Sequence, residues 1–346
     1  MTSKLKRTSI RILVGFGVVL LALGSQAQEA AKRTPVSSYP VATEFPKQDA
    51  AAVAKYLGEA RRIAGEDRFQ DFAHRCIISP RFPVRVRGIQ HDGLLEPTRV
   101  FDQLYSVGQN AVSSFALVTS AGIVLFDTLN NPEEAEQIIV PNLRRVGLDP
   151  KNIKYIVVTH GHGDHYGGAR YLQKTFGARV MASALDWNMM TAENTRGPFA
   201  GLEPPQPDMV IEDGQRLVVG DTTLQFYITP GHTPGTVSTI FTVTDQGQRH
   251  VVGFHGGTGG GRDAQGLRAS LVSGARWRDL TAKAGVDVLI ANHPLHDRGI
   301  ENNELLRSRL PGQTNPYVVG KASYQRYMQV MEACSRVYLA RLGEKQ

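Results

Sequence analysis

Thr159-His160-Gly161-His162-Gly163-Asp164-His165 sets three imidazoles and a carboxylate into six consecutive positions, directly after the apolar run Tyr155-Ile156-Val157-Val158. Neutral imidazole and carboxylate are zinc's nitrogen and oxygen donors, and a catalytic zinc site keeps one position open for water. Gly161 and Gly163 allow the tight backbone turn that lets alternate side chains converge instead of splaying along a strand. The alternative is a polar loop that happens to be rich in histidine. The ordered H-x-H-x-D-H spacing argues against it.

Two more histidines stand in turns of their own, each behind an apolar strand. Leu224-Gln225-Phe226-Tyr227-Ile228 leads into Thr229-Pro230-Gly231-His232-Thr233-Pro234-Gly235, and Val286-Asp287-Val288-Leu289-Ile290-Ala291 leads into Asn292-His293-Pro294. Proline and glycine mark the turns, and the preceding strand is the rigid element that aims each side chain. Either histidine alone reads as an ordinary loop or core residue. Their shared place at strand ends, together with the first cluster, points to one metal centre.

On these motifs the chain resembles the metallo-β-lactamase-fold hydrolases. The H-x-H-x-D-H run, the P-G-H-T-P-G turn and the N-H-P turn stand in that family's order, as does a strand ending in an aspartate, Gly122-Ile123-Val124-Leu125-Phe126-Asp127. The likeness spans about residues 98–335. It implies an α/β fold, an αββα sandwich of two mixed β-sheets flanked by helices with the metals at one edge. It also implies two zinc ions per chain, one on His160, His162 and His232 and one on Asp164, His165 and His293. Asp164 would also orient the nucleophile. Asp127 would orient ligands from outside the coordination sphere, a support that metal-binding histidines generally need.

Many members of this superfamily, glyoxalase-like thiolesterases among them, bridge the two metals with an aspartate on the strand between the last two histidine turns. Here that region reads His250-Val251-Val252-Gly253-Phe254-His255-Gly256-Gly257-Thr258-Gly259, and no carboxylate follows before Asp263. The pattern resembles the subclass B3 β-lactamases, since the other subclasses put a cysteine at the second metal and neither Cys76 nor Cys334 adjoins a ligand turn. The serines that B3 enzymes carry after this strand are replaced by glycines, leaving His255 and Thr258 as substrate-contact candidates. His255 reads equally well as a satisfied strand-end residue.

The expected function is therefore zinc-dependent hydrolysis, with a β-lactam as the small-molecule substrate and antibiotic resistance as the role. Zinc lowers the pKa of bound water from about 15.7 to roughly 7, so a zinc-bound hydroxide is available at neutral pH to open the ring. The alternative is a metallohydrolase of another ester or lactone, of the quorum-signal lactonase type. A metal-binding protein without turnover is a third reading, which the full ligand set disfavours. No G-x-S-x-G elbow offers a serine nucleophile instead.

Lys4, Lys6, Arg7 and Arg11 precede an apolar stretch from Ile12 to Leu23 and then Gly24-Ser25-Gln26-Ala27, the form of a secretory signal peptide cut after about Ala27. The stretch is shorter than the roughly 20 residues of a spanning helix. No stable membrane anchor is expected, and the location expected is periplasmic or secreted. Removing four basic residues lowers the formal charge from +7 to +3, too small a surplus to call for nucleic acid.

Residues 28–97 read as an N-terminal extension: a polar lead-in, a helix over 49–64 capped by Asp49, and a short helix near Asp67 to His74. Residues 98–346 form the hydrolase domain, with strands expected at 100–107, 113–119, 123–127, 179–182, 216–219, 223–229, 237–243 and 249–254. Helices are expected at 132–146, 167–176 and 321–342. The segment 186–209, with Trp187, Met189, Met190 and Phe199, is expected as an apolar wall beside the metals, and His296 as a rim residue. Two cysteines in an exported chain suit a disulfide, although sequence cannot give their separation. Oligomeric state is not legible.

Overall fold

Alternating apolar strands and amphipathic helices can bury both of their greasy faces only by stacking in layers. In the computed structural model, which describes residues 41–83, 93–193 and 199–345, that stack is helices, sheet, sheet, helices. The expected signal peptide lies outside the described residues, and among them no helix is long and apolar enough to cross a membrane.

The first sheet has seven strands in sequence order: β1 (Thr98–Arg99), β2 (Leu104–Ser106), β3 (Phe115–Thr119), β4 (Gly122–Phe126), β5 (Ile153–Val157), β6 (Arg179–Ser183) and β7 (Met209–Ile211). Its first four strands pair antiparallel and its last four parallel. The second sheet runs β12-β11-β10-β9-β8, from β8 (Arg216–Val219), β9 (Thr222–Ile228), β10 (Val237–Asp245), β11 (Gln248–His255) and β12 (Val288–Ala291), with only β11 and β12 parallel. Phe126 stacks on Phe241 at 5.5 Å and meets Phe254 edge-on at 5.4 Å, so aromatic rings fill the space between the sheets.

The outer face of the first sheet is covered by three helical runs: α3 (132–145), α5 (Ala169–Phe176), which follows the single turn α4 (Gly163–Tyr166), and α6 (Ala184–Glu193). The outer face of the second is covered by α7 (Ala264–Ala284) and α10 (Lys321–Arg341), with the short α8 (Pro294–Asp297) and α9 (Gly299–Arg307) between β12 and α10. Buried Trp277 of α7 donates to the Tyr324 hydroxyl of α10 at 3.0 Å, which donates to the Gly253 carbonyl of β11. The extension supplies α1 (Ala50–Ala64), capped by Asp49 through the Ala52 amide at 3.0 Å, and a continuous helical run, α2 (69–81). Both pack on α10 around Ala60, Phe72, Val330 and Val337. Cys76 and Cys334 form a disulfide there.

Three differences from the sequence reading are local. The strand expected over 100–107 is broken at 100–103, because Arg99 donates to the Asp102 carbonyl and Leu104 to that of Phe101, folding the chain into the β1–β2 hairpin. Helix α7 and strand β7 had no counterpart in it: Gly266 and Gly274 dilute the helical pattern of α7, and Gly274 sits where α7 passes Glu332 of α10. In the expected wall at 186–209, α6 turns Trp187 and Met190 into the layer beneath the first sheet, while Met189 meets the ligand loop at Gly161 and the ring of Phe199 lies where a side chain at Gly163 would stand.

Candidate metal centre

Six side chains predicted as ligands come from three places in the chain, and the strand ends bring them together. Strand β5 delivers His160, His162, Asp164 and His165; β9 is followed by His232, and β12 by His293. His160, His162 and His232 present nitrogens within 4.8 Å of one another, with ring centres 4.5–4.9 Å apart and planes near perpendicular. In the second cluster His165 Nε2 lies 3.3 Å from His293 Nε2 and 3.4 Å from Asp164 Oδ2, and His293 Nε2 lies 3.8 Å from that oxygen.

Such close approach of lone-pair atoms suits a shared cation. Tetrahedral zinc with nitrogens at about 2.0–2.1 Å places its ligands about 3.3–3.4 Å apart. His160 Nε2 is buried with no hydrogen-bond partner, although buried polar groups are nearly always satisfied. The donors fit a metal, and Asp164 is the one carboxylate in these clusters among the described residues.

Contacts of Nδ1 fix the rings of His160, His165, His232 and His293. Nδ1 of His160 contacts the Gly256 carbonyl at 2.9 Å, His232 that of Gly260 at 2.9 Å, and His293 that of Ala111 at 2.8 Å, so in each the N–H is spent on a backbone carbonyl and Nε2 is left as a lone pair. His165 Nδ1 instead meets Asp127 Oδ2 at 2.8 Å. Asp127 is fully buried, adopts a left-handed φ of 57°, and also accepts from the Thr159 amide and hydroxyl at 2.8 Å each. It contacts two ligand-loop residues, Thr159 and His165, without entering either cluster.

Electrostatics separate the two clusters. Burial among other imidazoles holds His160 and His232 well below the usual histidine range and His162 at about 4. Burial opposes charge on His165 as well, but the Asp164 and Asp127 carboxylates outweigh it and raise that ring to about 10. Burial likewise works against ionising Asp164, yet the neighbouring imidazoles keep its carboxyl far below the usual range.

The lower-ranked candidates line a cavity together with His232. Thr258 is buried and donates its hydroxyl to Asn292 Oδ1 at 2.5 Å. His255 lines a cavity of about 40 Å³ behind His232, its ring 6.0 Å from Trp277. His296 is half-buried with its ring centre 6.1 Å from that of His293, and it lines a small cavity with His74, Arg75 and Tyr327, where burial holds it well below the usual range.

Sequence reasoning missed three residues that hold the ligand loops. Buried Asp186 accepts from the amides of Gly161 and Gly235 and from the Thr233 hydroxyl at 2.7–2.9 Å, tying the first ligand loop to the His232 turn. Asn292 donates to the Gly256 carbonyl at 2.7 Å. Asp297 accepts from the Ala291 amide at 2.8 Å and so shapes the His293 turn. The adjacency of Asn292 and Asp297 to His293 was a usable signal for two of them; Asp186 had none.

Comparison with known proteins agrees with this geometry. A family model described as the metallo-beta-lactamase superfamily matches residues 107–245. The native FEZ-1 metallo-beta-lactamase of Legionella gormanii is similar in fold, with TM-score 0.64 and 20% identity over 73% of this chain and 98% of that one. BJP-1, a subclass B3 metallo-beta-lactamase of Bradyrhizobium japonicum, aligns with TM-score 0.59 and 26% identity over 69% and 92%. A hydroxyacylglutathione hydrolase of a Synechococcus strain is 31% identical over 147 residues, 41% of this chain and 50% of that protein. The chain spans about half the length of the first curated relatives it matches. Residues 107–245 thus match the metallo-beta-lactamase superfamily, and the solved structures of similar fold include a subclass B3 metallo-beta-lactamase.

Proposed function

We propose that this superfamily hydrolase is a zinc-dependent β-lactamase of B3-like type, with two zinc ions per chain, acting in the periplasm or outside the cell. One zinc is held by His160, His162 and His232 and the other by Asp164, His165 and His293. The observation that carries the reading is the second cluster: one Asp164 oxygen faces both His165 and His293, and the chain after β11 reads Gly256-Gly257 where a bridging carboxylate would stand. The likeness in fold to B3 enzymes supports the same choice.

When bound, the metal supplies a polarised carbonyl and a water of lowered pKa. The protein's part is positional. Three backbone carbonyls keep His160, His232 and His293 in the tautomer that exposes Nε2, and Asp127 fixes His165. Asp164, with one oxygen facing both His165 and His293, orients the attacking water.

A second reading, hydrolysis of a thioester or lactone, is favoured by the hydroxyacylglutathione hydrolase relatives. Turnover of a chromogenic cephalosporin, a carbapenem, an acylglutathione thioester and an acyl-homoserine lactone, each with and without chelator, separates the two. Chelator-sensitive cleavage of the lactams is expected. Cleavage of only the thioester or the lactone would replace this reading with the second.

A further inference from the structure

The residues after β11 wrap the ring of His232. A Cβ built on Gly259 would stand 2.7 Å from His232 Cε1, and one on Gly257 2.9 Å from His232 Cβ. Gly260 accepts from His232 Nδ1. The cradle needs bare backbone at these points, which explains glycines where the related enzymes carry serines. Within the turn the Gly260 amide donates to the Gly257 carbonyl at 2.8 Å, and because glycine loses the most conformational freedom on ordering, contacts from outside add to its hold.

One contact comes from the extension. Arg75 of α2 donates through Nη2 to the Gly259 carbonyl, and its guanidinium occupies the space where a side chain on Gly260 would project. Gly260 has a left-handed φ of 64°. The neighbouring residue, Cys76, is bonded to Cys334 of α10 across 258 residues of sequence. The arginine is thus mounted on an element that is covalently fixed.

We propose that Arg75 is a positioning residue for the metal centre: from the disulfide-fixed extension it locks the Gly257–Gly260 turn that aims His232, and so sets metal affinity at the three-histidine cluster. The inference rests on the zinc reading above. Groups that support metal ligands from outside typically contribute 10–100-fold in affinity.

The test is zinc competition against a chromophoric chelator, on wild type, Arg75→Met and Arg75→Lys, with cobalt(II) absorption as a second readout. Arg75→Met keeps the side chain's apolar stem. It is expected to weaken one of two metal equivalents about 10–100-fold, change the cobalt spectrum and leave the other equivalent in place, while Arg75→Lys, still a donor, restores part of the loss. Reducing the disulfide in folded wild type is expected to weaken the same equivalent by a smaller factor, and this arm stands if Arg75→Met fails to fold. Equal affinity of wild type and Arg75→Met at both equivalents, or of oxidised and reduced wild type should the variant not fold, would overturn the inference. Wild type that takes up no zinc would overturn the zinc reading itself.

Discussion

His160, His162 and His232 converge with no carboxylate among them, whereas Asp164, His165 and His293 converge around one and lean on a second, Asp127. Four of these six residues come from a single stretch of six, so the contrast arises not from distance along the chain but from what lies behind each ring. Behind His160 and His232 stand backbone carbonyls of the turn after β11. Behind His165 stands an ionisable group in a fully buried position. The first cluster is consequently a set of neutral donors that no proton contests near pH 7. The second carries charge of both signs, and a metal entering it must displace a proton.

The largest effect expected from this contrast is on turnover. His160→Ala and His293→Ala should each reduce hydrolysis to background while the chain stays folded, since each removes one candidate ligand. Metal analysis should then find one equivalent retained in each variant. Loss of both metals in both variants would mean that the clusters are a single cooperative site.

The pH dependence of metal uptake should differ next. His165, raised to about 10, is protonated at neutral pH, and only neutral imidazole binds metal. Uptake at the second cluster should release about one proton and strengthen roughly tenfold per pH unit until pH passes about 10. Uptake at the first cluster should be flat down to about pH 4, where His162 begins to compete for protons. Calorimetry in buffers of different ionisation enthalpy reads both numbers. Two equivalents with equal proton release would erase the distinction.

Asp127→Asn should have the smallest effect of the three, about 10–100-fold in affinity at the second cluster. It preserves shape and removes the charge that raises His165. Proton release at that cluster should fall with it, and affinity at the three-histidine cluster should remain. An equal loss at both clusters would assign Asp127 to general folding instead.

The convergence of the candidate ligands was legible in sequence because each is set by a local pattern, an apolar strand followed by a tight turn, and strand ends at one edge of a sandwich bring such turns together. The layer order was legible for the same reason: strands and helices alternate in separate stretches. What holds the turns was not. Asp186 joins two loops that lie 25 and 49 residues from it, and Arg75 reaches Gly259 across 184; no periodicity links such pairs. The contacts of Thr258 with Asn292 and of His255 with Trp277 are long-range in the same way and have no sequence signature. The disulfide required the observed proximity of α2 and α10, with Cα atoms 4.8 Å apart.

The most direct test of the two-cluster account is metal content of the purified protein by native mass spectrometry after equilibration with limiting and then excess zinc. The account predicts two zinc ions per chain, filling in two resolved steps as pH is raised. Saturation at one zinc per chain, or none, would contradict it.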